Sequence, residues 1–148
     1  MKAFPWKCGK CRERAINPVT LAAYSADLEH DGRKYPITVN GLQAARCDNC
    51  GTIMLDDAAN RRLSDALRAE VGLLQPAEIR AHREALGLTQ KALAGHLQVA
   101  EATLSRWETG AQMQQRAMDR FLRVFFQSAD ARRILGAAGE NKQLVAVR

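Results

Sequence analysis

Four cysteines in two identical pairs constrain the fold of this chain more than any other feature of its sequence. The pairs are Cys8 with Cys11 and Cys47 with Cys50, so each pair encloses two residues and 35 residues separate the pairs. Two intervening residues allow one tight turn to direct both sulfurs at one ion, and two such turns complete a tetrahedron of ligands. The pattern therefore predicts one structural Zn²⁺ ion held by all four cysteines.

The cysteines also have other interpretations, namely a redox dithiol or unrelated buried thiols. Two disulfides are disfavoured in a reducing cytosol, and a redox dithiol would not need a second pair. The sequence has no fifth cysteine and no histidine at ligand spacing, so we expect a closed site without a water position for catalysis. Gly9 and Gly51 are expected to supply positive φ angles beside the sulfurs.

Length and composition indicate a globular protein rather than a disordered or membrane protein. The chain has 148 residues, of which 47% are apolar and 26% are charged, enough for one ordinary domain or two small ones. No apolar run approaches the roughly 20 residues that cross a bilayer, and the first six residues lack a signal-peptide core. We therefore expect a cytoplasmic protein without membrane association. The net charge of +6 favours a polyanionic partner.

The predicted fold class is α+β, with a small zinc-stapled, β-rich N-terminal domain over residues 1–70. A mostly apolar strand is predicted at 19–28, followed by an Asp-Gly hairpin signal at 31–32. A second turn is predicted at the Asn-Gly pair at 40–41. So small a sheet has little core of its own, and structural zinc is expected to stabilise it.

A helix and a linker are predicted to follow the sheet. Asp56 is a favourable N-cap for a helix over residues 57–70. Residues 71–75 are predicted to be a linker, and Pro76 suits the first turn of the next helix.

The rest of the chain is predicted to be an all-α domain over residues 76–136 with a flexible tail at 137–148. Its five helices are expected at 77–86, 90–97, 100–109, 114–127 and 128–135. Thr89 and Ser128 are predicted N-caps, and Gly110 is predicted to end the third of these helices in the left-handed conformation. A short apolar run at 144–147 could add a strand or fray.

The residues at 88–94, Val99 and the residues at 104–110 closely resemble a Cro/CI-type (XRE) helix-turn-helix, which is lambda-repressor-like. Together with the two cysteine pairs and the small sheet, the chain resembles the MqsA/YgiT family of zinc-binding antitoxins over about residues 7–135. The resemblance implies a transcriptional repressor that forms a homodimer through its C-terminal domain and binds a double-stranded DNA operator. It also implies a type II toxin-antitoxin system, in which the N-terminal zinc domain binds an RNase-type toxin of RelE-like fold.

Under this interpretation the third helix of the C-terminal domain enters the major groove. Leu104 and Trp107 are three residues apart and are expected to face the core. The residues expected on the open face of the helix are Glu101, Ala102, Ser105 and Arg106. Arg106 is the best candidate base reader, because its guanidinium matches the O6 and N7 atoms of guanine, and the resemblance also places a base-contacting arginine there. The other interpretation of Arg106 is a solvated helix residue.

The remaining predicted contacts are weaker. Ala102 can contact only a thymine methyl group, whereas some relatives have asparagine there, and Glu101 could accept from cytosine or repel the phosphates. Gln90 resembles a phosphate-binding glutamine of the family, at a helix N-terminus that suits an anion, and Thr89 could join it. Gln90 could also be a plain surface residue.

Arg83 and Glu108 match a semi-buried ion pair of related repressors, so we expect them to be structural. Two other functions remain open at this stage. One is a stand-alone zinc-finger and helix-turn-helix regulator without a toxin. The other is an enzyme, for instance a zinc hydrolase or a thiol oxidoreductase, which is disfavoured because a catalytic zinc needs an open coordination position.

Overall fold

The computed structural model describes residues 3–138 and divides the chain into two compact units, the first ending at Val71 and the second beginning at Gly72. The tail predicted for residues 137–148 lies outside the described residues from 139 onward, including its apolar run. None of the helices in the described part combines the length and apolarity needed to span a membrane.

The first unit contains a four-stranded antiparallel sheet in chain order. Its strands are β1 (Trp6–Lys7), β2 (Arg14–His30), β3 (Arg33–Cys47) and β4 (Ile53–Met54). Strands β2 and β3 form one long hairpin, whose two turn residues, Asp31 and Gly32, have φ angles of 48° and 70°. Two positive φ angles match the right-handed twist of a hairpin, so the turn predicted from the Asp-Gly pair is confirmed.

The second predicted turn, at Asn40 and Gly41, is wrong. Pairing of β2 with β3 continues on both sides of it, from Leu42 to Asn40. Gly41 has a φ angle of 60° within the strand. Arg62 of the following helix donates to the carbonyl oxygens of Gly41 and Asn40 at 2.7 and 2.8 Å. Gly41 therefore allows a local irregularity of the strand backbone at the point where Arg62 binds it. Such an irregularity favours glycine just as a turn does, because both need a positive φ angle.

Helix α1 (Asp57–Val71) packs against β3 and completes the first unit. Asp56 caps it as predicted, because its Oδ1 accepts from the backbone N–H of Ala59 at 2.8 Å. The buried apolar side chains of this helix are Ala59, Leu63 and Leu67, and those of β3 are Ile37, Val39, Leu42, Ala45 and Cys47.

The second unit is all-α. Its helices are α2 (Pro76–Ala85), α3 (Gln90–Leu97), α4 (Glu101–Thr109), α5 (Arg116–Gln127) and α6 (Ala129–Ala138). Pro76 begins α2, and the hydroxyls of Thr89 and Ser128 accept from backbone N–H groups at 3.1 Å. Gly110 ends α4 with a φ angle of 78°. With α1, the described residues contain six helices, and the fold is α+β.

Two helix bounds in this unit differ from the prediction. Helix α5 begins two residues late because Gln114 is buried and its side chain donates to Leu74 O and Asp119 Oδ1 at 2.8 and 3.1 Å. Helix α6 continues to Ala138, past the predicted end at 135. The core of the unit consists of Leu74, Ile79, Leu93, Ala94, Leu97, Leu104, Trp107, Leu122 and Phe125.

The segment just before α2 is bound tightly to this unit. Leu74 is buried, and its N–H donates to Asp119 Oδ1 at 2.7 Å. Arg123 donates to Asp119 Oδ2 at 2.7 Å and to Gly72 O at 2.9 Å. These bonds satisfy the backbone groups of a stretch that lacks regular secondary structure.

Candidate zinc centre and nucleic-acid interface

The four cysteines meet in the first unit, although 35 residues separate the two pairs in the sequence. Within the described residues their Sγ atoms all lie within 4.8 Å of one another, and none forms a disulfide. The Cys8–Cys50 and Cys11–Cys47 sulfur distances are 3.7 and 3.6 Å. A tetrahedral zinc ion with Zn–S bonds of about 2.3 Å requires sulfurs about 3.8 Å apart, so the cluster has the dimensions of a candidate zinc site.

The two cysteine turns have the same backbone structure. The N–H of Arg12 donates to Cys8 O at 2.9 Å, and the N–H of Gly51 donates to Cys47 O at 2.8 Å. The N–H groups of the two first cysteines donate five residues ahead, to Glu13 O and Thr52 O, at 2.8 and 2.9 Å. Each turn therefore closes by one pattern around its pair of sulfurs.

The residue after the second cysteine carries the positive φ angle in both turns. The angle is 65° at Arg12 and 73° at Gly51, whereas Gly9 is not in that region. The prediction is thus confirmed for Gly51 and wrong for Gly9, because the backbone reverses after the second sulfur and not between the two. Arg12 was missed because an arginine gives no sign of a left-handed conformation; comparing equivalent positions in the two pairs would have found it.

The sulfurs differ in acidity. A hydrogen bond with the Thr52 hydroxyl, 3.1 Å from Sγ, is the main reason why the pKa of Cys50 is lowered to about 6. At Cys47 hydrogen bonds from the backbone of Cys50 favour the thiolate, but burial and the neighbouring thiols of Cys11 and Cys50 raise the pKa to about 11. Four adjacent thiolates repel one another unless a cation lies between them. Four sulfur donors with no open position suit a structural Zn²⁺ ion.

Helices α3 and α4 form a helix-turn-helix. The turn between them contains Gln98 in the left-handed conformation, with a φ angle of 56°. Leu104 and Trp107 of α4 are buried, at 0% and 4% exposure, so one face of the helix belongs to the core.

The opposite face of α4 is open. Of the four residues predicted to contact bases, Glu101, Ala102 and Arg106 are exposed, and Ser105 is half-buried. The Arg106 guanidinium has no hydrogen bond or ion pair with any residue that the structure describes. The side chain is therefore available to a ligand.

Arg83 and Glu108 form a bidentate ion pair that joins α2 to α4. Arg83 Nε and Nη2 donate to the two carboxylate oxygens of Glu108 at 2.6 and 3.0 Å, and its Nη1 donates to Leu88 O at 2.7 Å. Both residues are buried, at 7% and 8% exposure. Burial alone disfavours the Glu108 carboxylate, but hydrogen bonds from Arg83 and Gln90 outweigh it and hold the pKa of Glu108 below its ordinary value.

The residues at the start of α3 are tied to the same cluster. Gln90 is half-buried, and its side-chain amide donates to Glu108 Oε2 at 2.8 Å. Thr89 is exposed, and its hydroxyl accepts from the N–H of Ala92 as an N-cap. The sequence did not predict that Gln90 joins the ion pair, because that contact depends on the packing of α3 against α4.

Comparison with known proteins identifies the second unit. Residues 77–135, from α2 into α6, match the family model described as a helix-turn-helix domain. The chain has no significant match among curated proteins. The family match and the open face of α4 support a DNA-binding transcription regulator.

Proposed function

We propose that this protein is a sequence-specific transcriptional repressor and the antitoxin of a type II toxin-antitoxin system. The observation that carries the DNA-binding part is the orientation of α4, with Leu104 and Trp107 in the core and Arg106 exposed and unengaged among the described residues. The antitoxin part is supported by the resemblance to the MqsA/YgiT family, in which a four-cysteine domain precedes a Cro/CI-type helix-turn-helix.

In this proposal α4 lies in the major groove of the operator. Arg106 donates two hydrogen bonds to O6 and N7 of a guanine. Ala102 contacts a thymine methyl group, Glu101 accepts from a cytosine amino group, and Ser105 contacts either kind of base edge.

The N-terminus of α3 contacts the DNA backbone in the same pose. Free N–H groups and the helix dipole favour an anion there, and Thr89 and Gln90 add side-chain donors. The amide nitrogen of Gln90 has two hydrogens, so it can donate to a phosphate while it donates to Glu108. These contacts position the duplex without reading its sequence.

The zinc ion is proposed to be structural. Cys8, Cys11, Cys47 and Cys50 would hold one Zn²⁺ ion, which links the turn after β1 to the turn after β3. With four sulfur ligands the ion has no site for substrate or water, so the proposed role is not enzymatic.

The proposed assembly is a homodimer that also binds an RNase-type toxin. Association through the C-terminal domain follows from the resemblance to the MqsA/YgiT family, and such an interface could cover the exposed side chains of Val124 on α5 and Ile134 on α6, at 52% and 64% exposure. Each domain would then read one half-site, with centres about 34 Å apart. The zinc domain would bind the toxin.

Purification of the intact protein from its native host tests the whole proposal. We expect one zinc per chain, a recurrent inverted repeat among the crosslinked DNA fragments, and a small co-purifying RNase. If zinc and the inverted repeat are recovered without a protein partner, the antitoxin function is wrong and the alternative holds, namely a stand-alone zinc-finger and helix-turn-helix regulator. If no DNA sequence is enriched, the proposed repressor function is wrong.

A further inference from the structure

An open cavity of about 750 Å³ lies beside the first cysteine turn. All of its lining residues belong to the first unit and none is a cysteine, although Trp6 also packs against the cysteine cluster. Its volume is within the usual range of ligand pockets, roughly 300–1,000 Å³. The residues that line it are Ala3, Pro5, Trp6, Lys7 and Arg14.

One wall of this cavity is aromatic. The Trp6 ring, which lines the cavity, stacks on Phe4 with ring centroids 4.2 Å apart and an interplanar angle of 15°. Phe4 is 40% exposed, whereas Trp6 is half-buried and packs against the cluster that contains Cys8 and Cys47. The exposed ring of Phe4, which adjoins Trp6, therefore offers a planar apolar face to a ligand.

The other wall is cationic. Lys7 of β1 and Arg14 of β2 are directly paired across the two strands, and both are exposed. Neither side chain has an ion pair or hydrogen bond to another residue that the structure describes. Like charges directly opposite each other destabilise a strand pair, so an anion bound between them would relieve the repulsion.

An irregularity in the sheet brings the two walls together. The strand register shifts between Trp6 and Lys7, whose partners are Ile16 and Arg14, so an extra residue of β2 is left between them. Such bulges redirect side chains and are frequent at binding sites. Here the bulge places Lys7 opposite Arg14 and lets Trp6 and Lys7, adjacent in sequence, line one cavity.

The charge around the cavity favours a phosphate. Residues 3–14 contain four cations and a single acidic residue, Glu13. Two of the cations, Lys10 and Arg12, are exposed in the cysteine turn next to the cavity. They would offset the negative charge of a zinc-bound tetrathiolate formed by the four cysteines.

We propose that this cavity binds a nucleotide of a single-stranded nucleic acid. The base stacks on the exposed Phe4 ring, which adjoins Trp6, and the phosphate lies between Lys7 and Arg14. Proteins that bind single strands combine aromatic stacking with a cationic track in this way. A duplex hides its base faces, so this activity is independent of operator binding by α4.

Binding to the intact, zinc-loaded protein tests the proposal directly. The probes are fluorescein-labelled oligothymidylate and oligouridylate of about 12 nucleotides, a mixed-sequence duplex of the same length, thymidine monophosphate and an oligoglutamate peptide. We expect the single strands to quench tryptophan emission and to bind at least about tenfold more tightly than the mononucleotide and the peptide.

Paired substitutions locate the site. Phe4→Leu and the double variant Lys7→Gln/Arg14→Gln are each expected to weaken single-strand binding by about tenfold or more, since stacking on one aromatic contributes about 1–3 kcal/mol. The charge-matched control is Lys34→Gln/Arg61→Gln, two exposed cations elsewhere in the same unit, and it should change binding by less than about threefold. Unchanged zinc content shows that each variant keeps its cysteine turns.

Four results would overturn the proposal. They are undetectable single-strand binding, equal weakening by the control pair, mononucleotide or oligoglutamate binding as tight as that of the strand, and loss of single-strand binding in Arg106→Ala. The last result would assign the strand to α4. Failure of operator binding in the same protein would leave the cavity proposal standing.

Discussion

At the scale of single residues, Glu108 and Arg106 show that charged residues on α4 have two different roles. Glu108 faces inward, where Arg83 and Gln90 donate to both of its oxygens. Arg106, two residues earlier, faces solvent. A charged residue on α4 therefore has a structural role when its partners are within the fold, and is available to DNA when they are not.

Replacing Arg106 with alanine should weaken operator binding by about 1–3 kcal/mol and relax the preference for guanine at one position. The reason is that a bidentate contact to O6 and N7 is lost while the fold keeps its core. Titration of operator duplexes substituted at each position measures both effects. Arg61→Ala, which removes an exposed cation from α1, is the matched control; an equal loss there would point to charge alone.

The buried pair predicts how the stability of the second unit depends on pH. Because the folded-state pKa of Glu108 is lowered, its contribution is present above the ordinary carboxyl pKa of about 4.3 and is lost as pH falls through the lowered value. At pH 7, Glu108→Gln should cost about 3–5 kcal/mol, since Arg83 loses its buried carboxylate partner and keeps only the exposed Glu84, whose Oε1 is 3.5 Å from Nη2.

Urea unfolding followed by Trp107 emission, with Trp6 changed to phenylalanine, measures this dependence. The free-energy difference between wild type and Glu108→Gln should shrink as pH falls below about 4. A difference that stays constant down to acid pH would contradict the assigned direction of the pKa shift.

At the scale of elements, sequence signals predicted the helix caps and turns that depend on neighbouring residues. They failed where a contact with a residue distant in the sequence determines the backbone conformation. The caps of α1, α3 and α6 and the Asp31–Gly32 turn follow from side chains within three residues of one another. The Asn-Gly pair at 40–41 is ambiguous by itself, because a turn and a strand irregularity both favour glycine. Only the approach of Arg62, from 21 residues away, distinguishes them.

The candidate site follows the same rule. Equal spacing in the two cysteine pairs is sufficient to predict the sulfur cluster. The bond from Gln90 to Glu108 and the opposition of Lys7 and Arg14 depend on packing and on a bulge, which the spacing of residues does not encode.

The two cysteine turns offer a matched pair of glycine substitutions. Gly51→Ala should cost about 1–2 kcal/mol and weaken zinc affinity by about tenfold, because alanine is strained at a φ angle of 73°. Gly9→Ala should have little effect, since Gly9 has no positive φ angle and neither glycine has another atom within 4 Å of an added Cβ. Chelator competition measures zinc affinity in both variants. Equal weakening would mean that the turns need glycine for another reason.

At the scale of the whole molecule, the boundary between the units is sharper than the sequence suggests. Residues 71–75 look like a linker, yet the structure assigns those from Gly72 onward to the second unit. Asp119 and Arg123 of α5 hold the backbone of Gly72 and Leu74, and the Leu74 side chain is in the core. The second unit therefore begins with an irregular segment that α5 stabilises.

Two fragments of the second unit test this boundary. A fragment that begins at residue 72 should be more stable than one that begins at residue 76 by about 2–5 kcal/mol, because the shorter one loses the buried side chains of Leu73 and Leu74 and the hydrogen bond from the Leu74 N–H to Asp119. Thermal unfolding of both fragments measures the difference. Equal midpoints would show that the segment adds nothing to the fold.

The length of the hairpin has a consequence for how the first unit opens. Strand β2 has 17 residues and extends roughly 55 Å at about 3.3 Å per residue, yet β1 and β4 pair only at the end near the cysteines, at Arg14, Ile16, Ala45 and Arg46. Ribbons of two strands are marginal in water, so backbone amides should exchange with deuterium fastest around Asp31 and progressively more slowly toward Cys47. Uniform protection along the β2–β3 hairpin would mean that its end at the Asp31–Gly32 turn is as stable as its end near the cysteines. A graded pattern would mean that the four-stranded end beside the cysteines stays paired while the two-stranded end samples open states on its own.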